Sequence, residues 1–291
     1  MASINARPQQ SLLRKRPRSY WSGQIFKYSI LIIFVLISIV PVFWVFSTSL
    51  KTTHEVALSP LGPPTTFRFD NYSEAWVQGR FGKYFSNSVI VSIPIVLGTV
   101  AMACLAGYGL ARFNLPGRSL IFYYFLLGLM VPFQSIMIPL FYTLRDIGFL
   151  GTYWAMIVPM IALGMPFGIF FMRAFFLGLP SDLADAGKID GCNDFQVFRF
   201  IMLPLAGPGI ATLAVFNFMG AWNAFLLPLI YMQKEELRTI VLGLMFYKTQ
   251  YTQNIPLTMA GAAIVMLPIV IIYIIFQRKF IQGLTAGAVK G

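Results

Sequence analysis

The chain has 291 residues, 57% of them hydrophobic and only 11% charged, with a mean hydropathy of +0.72. Soluble domains run about 45–50% apolar and about 25% charged, so the pair of soluble domains that length alone suggests is excluded in favour of a chain that hides apolar surface in a bilayer. The net charge of +12 does not signal nucleic acid, because the basic residues form short clusters between long uncharged stretches rather than a stripe on one folded face.

Residues 1–22 read as a basic tail carrying Arg7, Arg14, Lys15, Arg16 and Arg18, and residues 23–291 as one transmembrane domain. A spanning helix needs roughly 20 largely apolar residues. Charge-free gaps of that kind run from Lys27 to Lys51, Lys83 to Arg112, Arg118 to Arg145, Asp146 to Arg173, Arg199 to Lys234 and Lys248 to Arg278. A charge at a helix centre costs roughly 2.5–3.5 kcal/mol on insertion scales, so clean gaps predict six spans and an all-α integral membrane protein. The first apolar run is longer than a signal peptide's and no A-x-A site follows it, which makes it an uncleaved anchor.

Prolines recur inside the predicted spans, among them Pro41, Pro94, Pro132, Pro139, Pro159, Pro166, Pro228 and Pro268; neighbouring helices can satisfy the carbonyls that they free. Gly164 and Gly168 form one G-x-x-x-G pair, which fits either a close helix contact or chance in a glycine-rich chain. With the tail in the cytoplasm, that side also gains Arg112, Arg118, Arg173, Lys188, Arg199, Arg278, Lys279 and Lys290. The basic excess then lies inside, and an even number of spans puts both termini in the cytoplasm.

The residues offer little reaction chemistry. His54 beside Glu55, in the long segment of about residues 51–84, has no second histidine and reads as a solvated loop residue. Cys104 lies in an apolar run and Cys192 in a polar one, with no disulfide framework or metal spacing. No nucleophile, paired carboxylate or metal cluster appears, so neither a catalytic nor a metal site is expected. Every acidic residue falls outside the spans, whereas an ion-coupled carrier would want an intramembrane acid or visible inverted repeats. A phosphate-binding loop needs G-x-x-x-x-G-K-[ST]; Gly82-Lys83 precedes Tyr84, Gly187-Lys188 precedes Ile189, and neither has the earlier glycine. ATP-driven work would need another chain.

Between the fourth and fifth predicted spans, from Pro180, runs PSDLADAGKIDGCNDFQVFRFIMLPLAGP. Ser181 can cap a helix, with Asp182 and Asp185 at the positive end of its dipole. Gly187 and Gly191 keep one face small, Asn193 or Asp194 can start a second short helix with Phe195, Val197, Phe198 and Ile201, and Pro204 and Pro208 mark the next span. On the residues alone, a loop folded on its own bundle and a docking surface both fit.

This segment resembles the EAA loop of ABC-importer permeases. Asp185-Ala186-Gly187 stands for E-A-A, Asp190-Gly191 for the D-G pair, and Ile201-Met202-Leu203-Pro204 for I-x-L-P; Asp185 and Gly187 depart from the family's Glu and Ala. Further stretches are similar to the shorter permease of the maltose-type carbohydrate branch: residues 71–76 (NYSEAW), 105–113 (LAGYGLARF), 221–225 (AWNAF) and 282–291 (QGLTAGAVKG). The resemblance implies a type I ABC-importer permease bundle of six transmembrane helices with a cytoplasmic coupling helix in a loop of about residues 178–203. It also implies a sugar or sugar-like solute delivered by an extracytoplasmic binding protein, a second homologous permease, two ATP-binding subunits that hold the ATP and Mg, and a lipid environment in a bacterial-type plasma (inner) membrane. No cofactor is then expected in this chain. Carried over by motif, Asp185, Ala186, Gly187, Asp190 and Gly191 would form the ATPase-docking surface. Gln134 in the third span and Asn217, Trp222 and Asn223 in the fifth are polar or amphipathic groups that fit either a translocation pathway or bonds between helices and an interfacial tryptophan belt.

Overall fold

The computed structural model describes residues 18–247 and 254–288; Arg7, Arg14, Lys15 and Arg16 of the expected tail, and the closing residues 289–291, lie outside the described residues. The described chain is helix and turn throughout. In order, the helices are α1 (Arg18–Ser49), α2 (Thr53–Leu58), α3 (Asp70–Gln78), α4 (Phe81–Arg112), α5 (Arg118–Leu127), α6 (Phe133–Asp146), α7 (Trp154–Gly178), α8 (Asp182–Ile189), α9 (Asp194–Gln196), α10 (Leu203–Leu205), α11 (Gly207–Trp222), α12 (Leu226–Tyr231), α13 (Ile240–Gly243) and α14 (Ile255–Ala288).

Among the described residues, four helices, α1, α4, α7 and α14, are long and apolar enough to cross a membrane singly. The third and fifth predicted spans are bent pairs, so the count reaches six when each pair is taken as one span. A bend of 97° separates the segments Arg118–Met130 and Phe133–Asp146, and one of 75° separates Asp194–Leu205 from Gly207–Trp222. The first break has a local cause. Pro132 lacks an N–H and pushes the residue before it out of the helical region, and Val131 accordingly sits at φ −84°, ψ 109°. At the second, Pro208 lies at the start of α11, where its fixed φ suits a first turn.

The bundle is centred on α4 and α7. Thr99, Ala103 and Gly107 on α4 share one face with Gly164, Gly168 and Met172 on α7, each set at four-residue spacing. A Cβ added to Gly164 would meet Thr99 Cγ2 at 2.9 Å, one on Gly168 would meet Ala103 Cβ at 2.8 Å, and one on Gly107 would meet Met172 Cβ at 2.9 Å. The G-x-x-x-G pair is therefore a close helix contact, with small side chains of α4 set against the bare backbone of α7, the arrangement by which small residues let helices in lipid approach. By contrast, α1 leaves its apolar side chains from Ile25 to Val40 uncovered within this chain and meets α14.

Two ends of the bundle follow. The proximal end carries residues 113–117 and the segment 178–206; the distal end carries residues 50–80 and 232–247. At the distal end, side chains hold irregular backbone in place. Asn71 Nδ2 donates to Ser49 O (2.7 Å) and Lys51 O (2.9 Å), and the buried Lys51 Nζ donates to Ser59 O (2.9 Å). Asn87 Nδ2 donates to Glu236 O (2.7 Å) and Arg238 O (2.9 Å) while its Oδ1 accepts from Tyr153 (2.7 Å). Glu55 is a hub: it closes a capping box with Thr52 at the start of α2 and accepts from the backbone and hydroxyls of Thr65 and Thr66. These bonds, the Thr65 hydroxyl first, hold its carboxyl well below the usual carboxylate range.

Candidate coupling surface

The chain leaves α7 through Leu179 at φ −77°, ψ 146°, and Pro180 prevents the helix from running on. The next helix, α8, has Asp182 and Asp185 in its first turn and Lys188 in its last, each at the end of the dipole that favours its charge. Ser181 does not cap it as the sequence suggested: its backbone is already helical, and its hydroxyl lies 3.3 Å from Asp182 Oδ1. A stop follows at Gly191, with φ +87°. Cys192 N donates to Gly187 O (2.9 Å) and Gly191 N to Lys188 O (3.1 Å), the pair of bonds of a Schellman ending, which needs a residue at ease in the left-handed region.

A second turn starts where the sequence allowed it, at Asn193. Its side chain accepts from Gln196 N (2.9 Å) and Gln196 Oε1 accepts from Asn193 N (2.8 Å), a reciprocal box. The Lys188–Asp194 ion pair (2.8 Å) ties α8 to this turn at the surface, and the bond from Asp194 raises the Lys188 pKa. Residues Val197–Met202 then wind as a wide π turn that turns Val197, Phe198 and Met202 inward. The Phe198 ring lies 5.0 Å from Tyr108 and 6.4 Å from Phe176, and Tyr108 lies 5.4 Å from Phe176 and 5.6 Å from Phe113. An aromatic cluster thus seats the segment on the ends of α4 and α7.

The two faces of α8 differ accordingly. Ala184 and Gly187 are buried, and a Cβ on Gly187 would collide with Ile201 Cδ1. Of the five residues carried over by motif, Gly187 therefore faces the protein, whereas Asp185, Ala186, Asp190 and Gly191 are exposed together. Gly191 also ends the helix. Beside them stand two apolar side chains that motif reasoning did not single out, Leu183 at 42% and Ile189 at 87% exposure, with Phe195 at 66% on the following turn. The signal was present in the sequence as an isoleucine inside the polar run G-K-I-D-G. Large apolar groups left bare beside acids, with the core of the loop already filled, are what an unoccupied protein contact surface presents.

The residues expected on a pathway do not converge in this chain. Gln134 is exposed at the start of α6 and Asn223 at the end of α11. Asn217 is half-buried, donates to Leu213 O (2.9 Å), and sets its Oδ1 against Gly164 of α7. Trp222 is 1% exposed; it donates to Val265 O (3.1 Å), stacks on Phe218 at 5.3 Å and meets the edge of Phe85 at 5.4 Å. It ties α4, α11 and α14 together. The cavity beside it, about 520 Å³, is lined only by apolar residues such as Phe85, Val96, Phe218, Pro268 and Phe276, and so offers a sugar no hydrogen bond.

Residues 100–285 match the family model described as the binding-protein-dependent transport system inner membrane component. The chain is 38% identical to the diacetylchitobiose uptake system permease protein of Streptomyces coelicolor, covering 90% of this chain and 88% of that one. It is 40% identical to an arabinooligosaccharides transport system permease protein of Halalkalibacterium halodurans (78% and 81% covered) and 36% identical to the trehalose transport system permease protein of Mycobacterium tuberculosis (87% and 93%). In fold it superposes on a chain of a bacterial ABC transporter involved in the import of the acidic polysaccharide alginate, with a TM-score of 0.78 at 21% identity, covering 91% of this chain and 99% of that one. The chain belongs to the binding-protein-dependent inner membrane components: it is a non-catalytic permease subunit of an ABC importer.

Proposed function

We propose that this permease moves a sugar or sugar-like solute across a bacterial plasma membrane, receiving it from an extracytoplasmic binding protein at the distal end and taking its drive from an ATPase docked at the proximal end. Both termini and the segment 178–203 then lie in the cytoplasm, in keeping with the basic excess on that side. A second permease completes the pathway, and two ATP-binding subunits hold the ATP and Mg²⁺. The sugar assignment is supported by the diacetylchitobiose, arabinooligosaccharides and trehalose permeases to which the chain is similar.

The observation that carries the docking assignment is the exposed face of α8. Leu183 and Ile189 would enter an apolar cleft of the ATPase, while Asp185 and Asp190 accept charge-assisted hydrogen bonds at its rim. Ala186 and Gly191 let the two backbones come close. Movement of the docked ATPases would be delivered to the bundle through α8 and the aromatic cluster beneath it. The test is co-purification from membranes with the ATPase, for the natural chain and for Ile189→Asp. Ile189 is almost wholly exposed, so the substitution should leave insertion unchanged while removing the ATPase and all uptake; an Ile189→Asp chain that retains both overturns the docking surface. Uptake by the natural complex of radiolabelled trehalose, diacetylchitobiose and arabinose oligosaccharides tests the solute class, and transport of none of them, with a non-sugar carried instead, overturns it.

A further inference from the structure

A docking helix can drive spans only if the joint between them is stiff. Here the joint, residues 179–181, is a short non-helical link with Leu179 extended and a proline after it, and the carbonyls at the end of α7 lack the i+4 amides of a continuing helix, Phe176 O keeping only a long bond from Leu179 N (3.3 Å). They are taken by a neighbour. Arg112, in the last turn of α4, donates from Nη2 to Phe176 O (2.8 Å) and Leu179 O (2.6 Å), one bond to the final turn of α7 and one to the joint itself. Its Nε is buried, so the guanidinium sits within the packing rather than in water. The exchange is reciprocal: Arg173 of α7 donates from Nε to Leu110 O near the end of α4 (3.3 Å) and lies over the Phe122 ring of α5 at 4.2 Å. Between the two arginines, Gly107 lets the helices touch, since a Cβ there would meet Arg173 N at 2.9 Å.

Each span therefore caps the other's end, just where the segment 178–203 begins. Arg112 spans two carbonyls from Nη2 and Arg173 holds one from Nε; a planar guanidinium fixed by packing holds orientation as well as position, which a lysine ammonium on a flexible stem does less well. We infer that Arg112 is a positioning residue for coupling: it locks the root of the docking helix to both α4 and α7, so that a push on α8 rotates the pair as one body instead of bending the 179–181 joint. Arg173 supports the same lock from the other side. The inference rests on the docking reading above and adds the residue that transmits the stroke.

The test uses the whole transporter (this chain, its second permease, the ATPase subunits and the binding protein) in proteoliposomes, with the radiolabelled sugar of the panel that the natural complex takes up. Arg112→Lys keeps the charge but loses the planar guanidinium that reaches both carbonyls. It should assemble in natural amounts and hydrolyse ATP at close to the natural rate, while sugar moved per ATP falls about tenfold, as expected for loss of one charge-assisted bond. Arg112→Ala should fall at least as far. Unchanged sugar per ATP in both variants overturns the inference. Uptake and hydrolysis that decline together, in step with the amount of assembled complex, also overturn it, since that is the signature of a helix cap and nothing more. Failure of the natural chain to assemble with the ATPase would instead refute the docking surface, which keeps the two ideas separable.

Discussion

At the proximal end short capped turns close most of the backbone, Arg112 and Arg173 take a few helix-end carbonyls, and most other side chains are left free to pack or to project. Tyr108, Phe176 and Phe198 stack inward while Ile189 and Asp190 point out. The distal end is different in kind. Its segments 59–69 and 232–239 contain little regular helix, and their carbonyls are taken instead by Asn71, Lys51 and Asn87. Buried backbone groups must be paired by something. Where helices do not supply the partner, side chains must, and those side chains are then unavailable for packing or for docking. One end of this permease thus leaves side chains exposed around α8, and the other commits them to holding irregular loops in register.

The comparison predicts where each end is weak. Phe198→Ala should have the largest effect on the fold, because it removes a ring that is 6% exposed from the cluster seating the docking segment; truncations of this type cost about 3–5 kcal/mol. It should appear as a lowered thermal midpoint of the purified protein and faster proteolysis within residues 181–203, with the distal loops protected as before. Equal protection of 181–203 in the variant would mean that the rings do not seat the loop.

Asn87→Leu comes next and attacks the other end. It leaves two carbonyls and the Tyr153 hydroxyl without their amide partner, and unsatisfied buried groups cost roughly 1–3 kcal/mol. Cleavage should accelerate in residues 232–247 and not in 181–203. If both segments loosen together, the two ends are one cooperative unit and the comparison fails.

The smallest effect concerns Glu55. Its carboxyl titrates below the ordinary range when folded, so its support of the distal loop is fully present above the unfolded glutamate pKa of about 4.3 and is lost as pH falls below that value. Amide exchange in residues 52–66 should therefore be independent of protonation between about pH 6 and pH 8 once intrinsic rates are corrected, and should lose protection only in acid near the unfolded glutamate pKa. Glu55→Gln should lower protection at neutral pH and flatten the acid dependence. An acid response that persists in Glu55→Gln assigns it to another group.

Much of this could be read along the chain. Bilayer residence and helix followed from charge-free runs, because the cost of a buried charge acts on each residue wherever it later packs. The short helices of residues 178–203 were partly legible through their acids, glycines and prolines, since caps and stops are local events: Asn193 and Gly191 behave as their residue types dictate, whereas Ser181 does not cap. Three features needed the folded molecule. Gly187 was grouped with the docking residues, yet Ile201 covers it, and which face of an eight-residue helix is covered depends on a turn that follows it. Trp222 fitted either a pathway or a bond between helices, and only the fold shows its bond to Val265 O and its packing on Phe85 and Phe218, the former far away in sequence. Glu55 drew no expectation from the sequence beyond its place beside His54, yet it gathers Thr65 and Thr66.

What the sequence determined by itself was the solvent of each segment and the punctuation of each helix, both governed by interactions within a few residues. The tertiary structure decided which ends meet. That Arg112 reaches the carbonyls of Phe176 and Leu179 depends on α4 and α7 being drawn together at Gly107, Gly164 and Gly168, and no local rule couples residues that stand more than sixty positions apart.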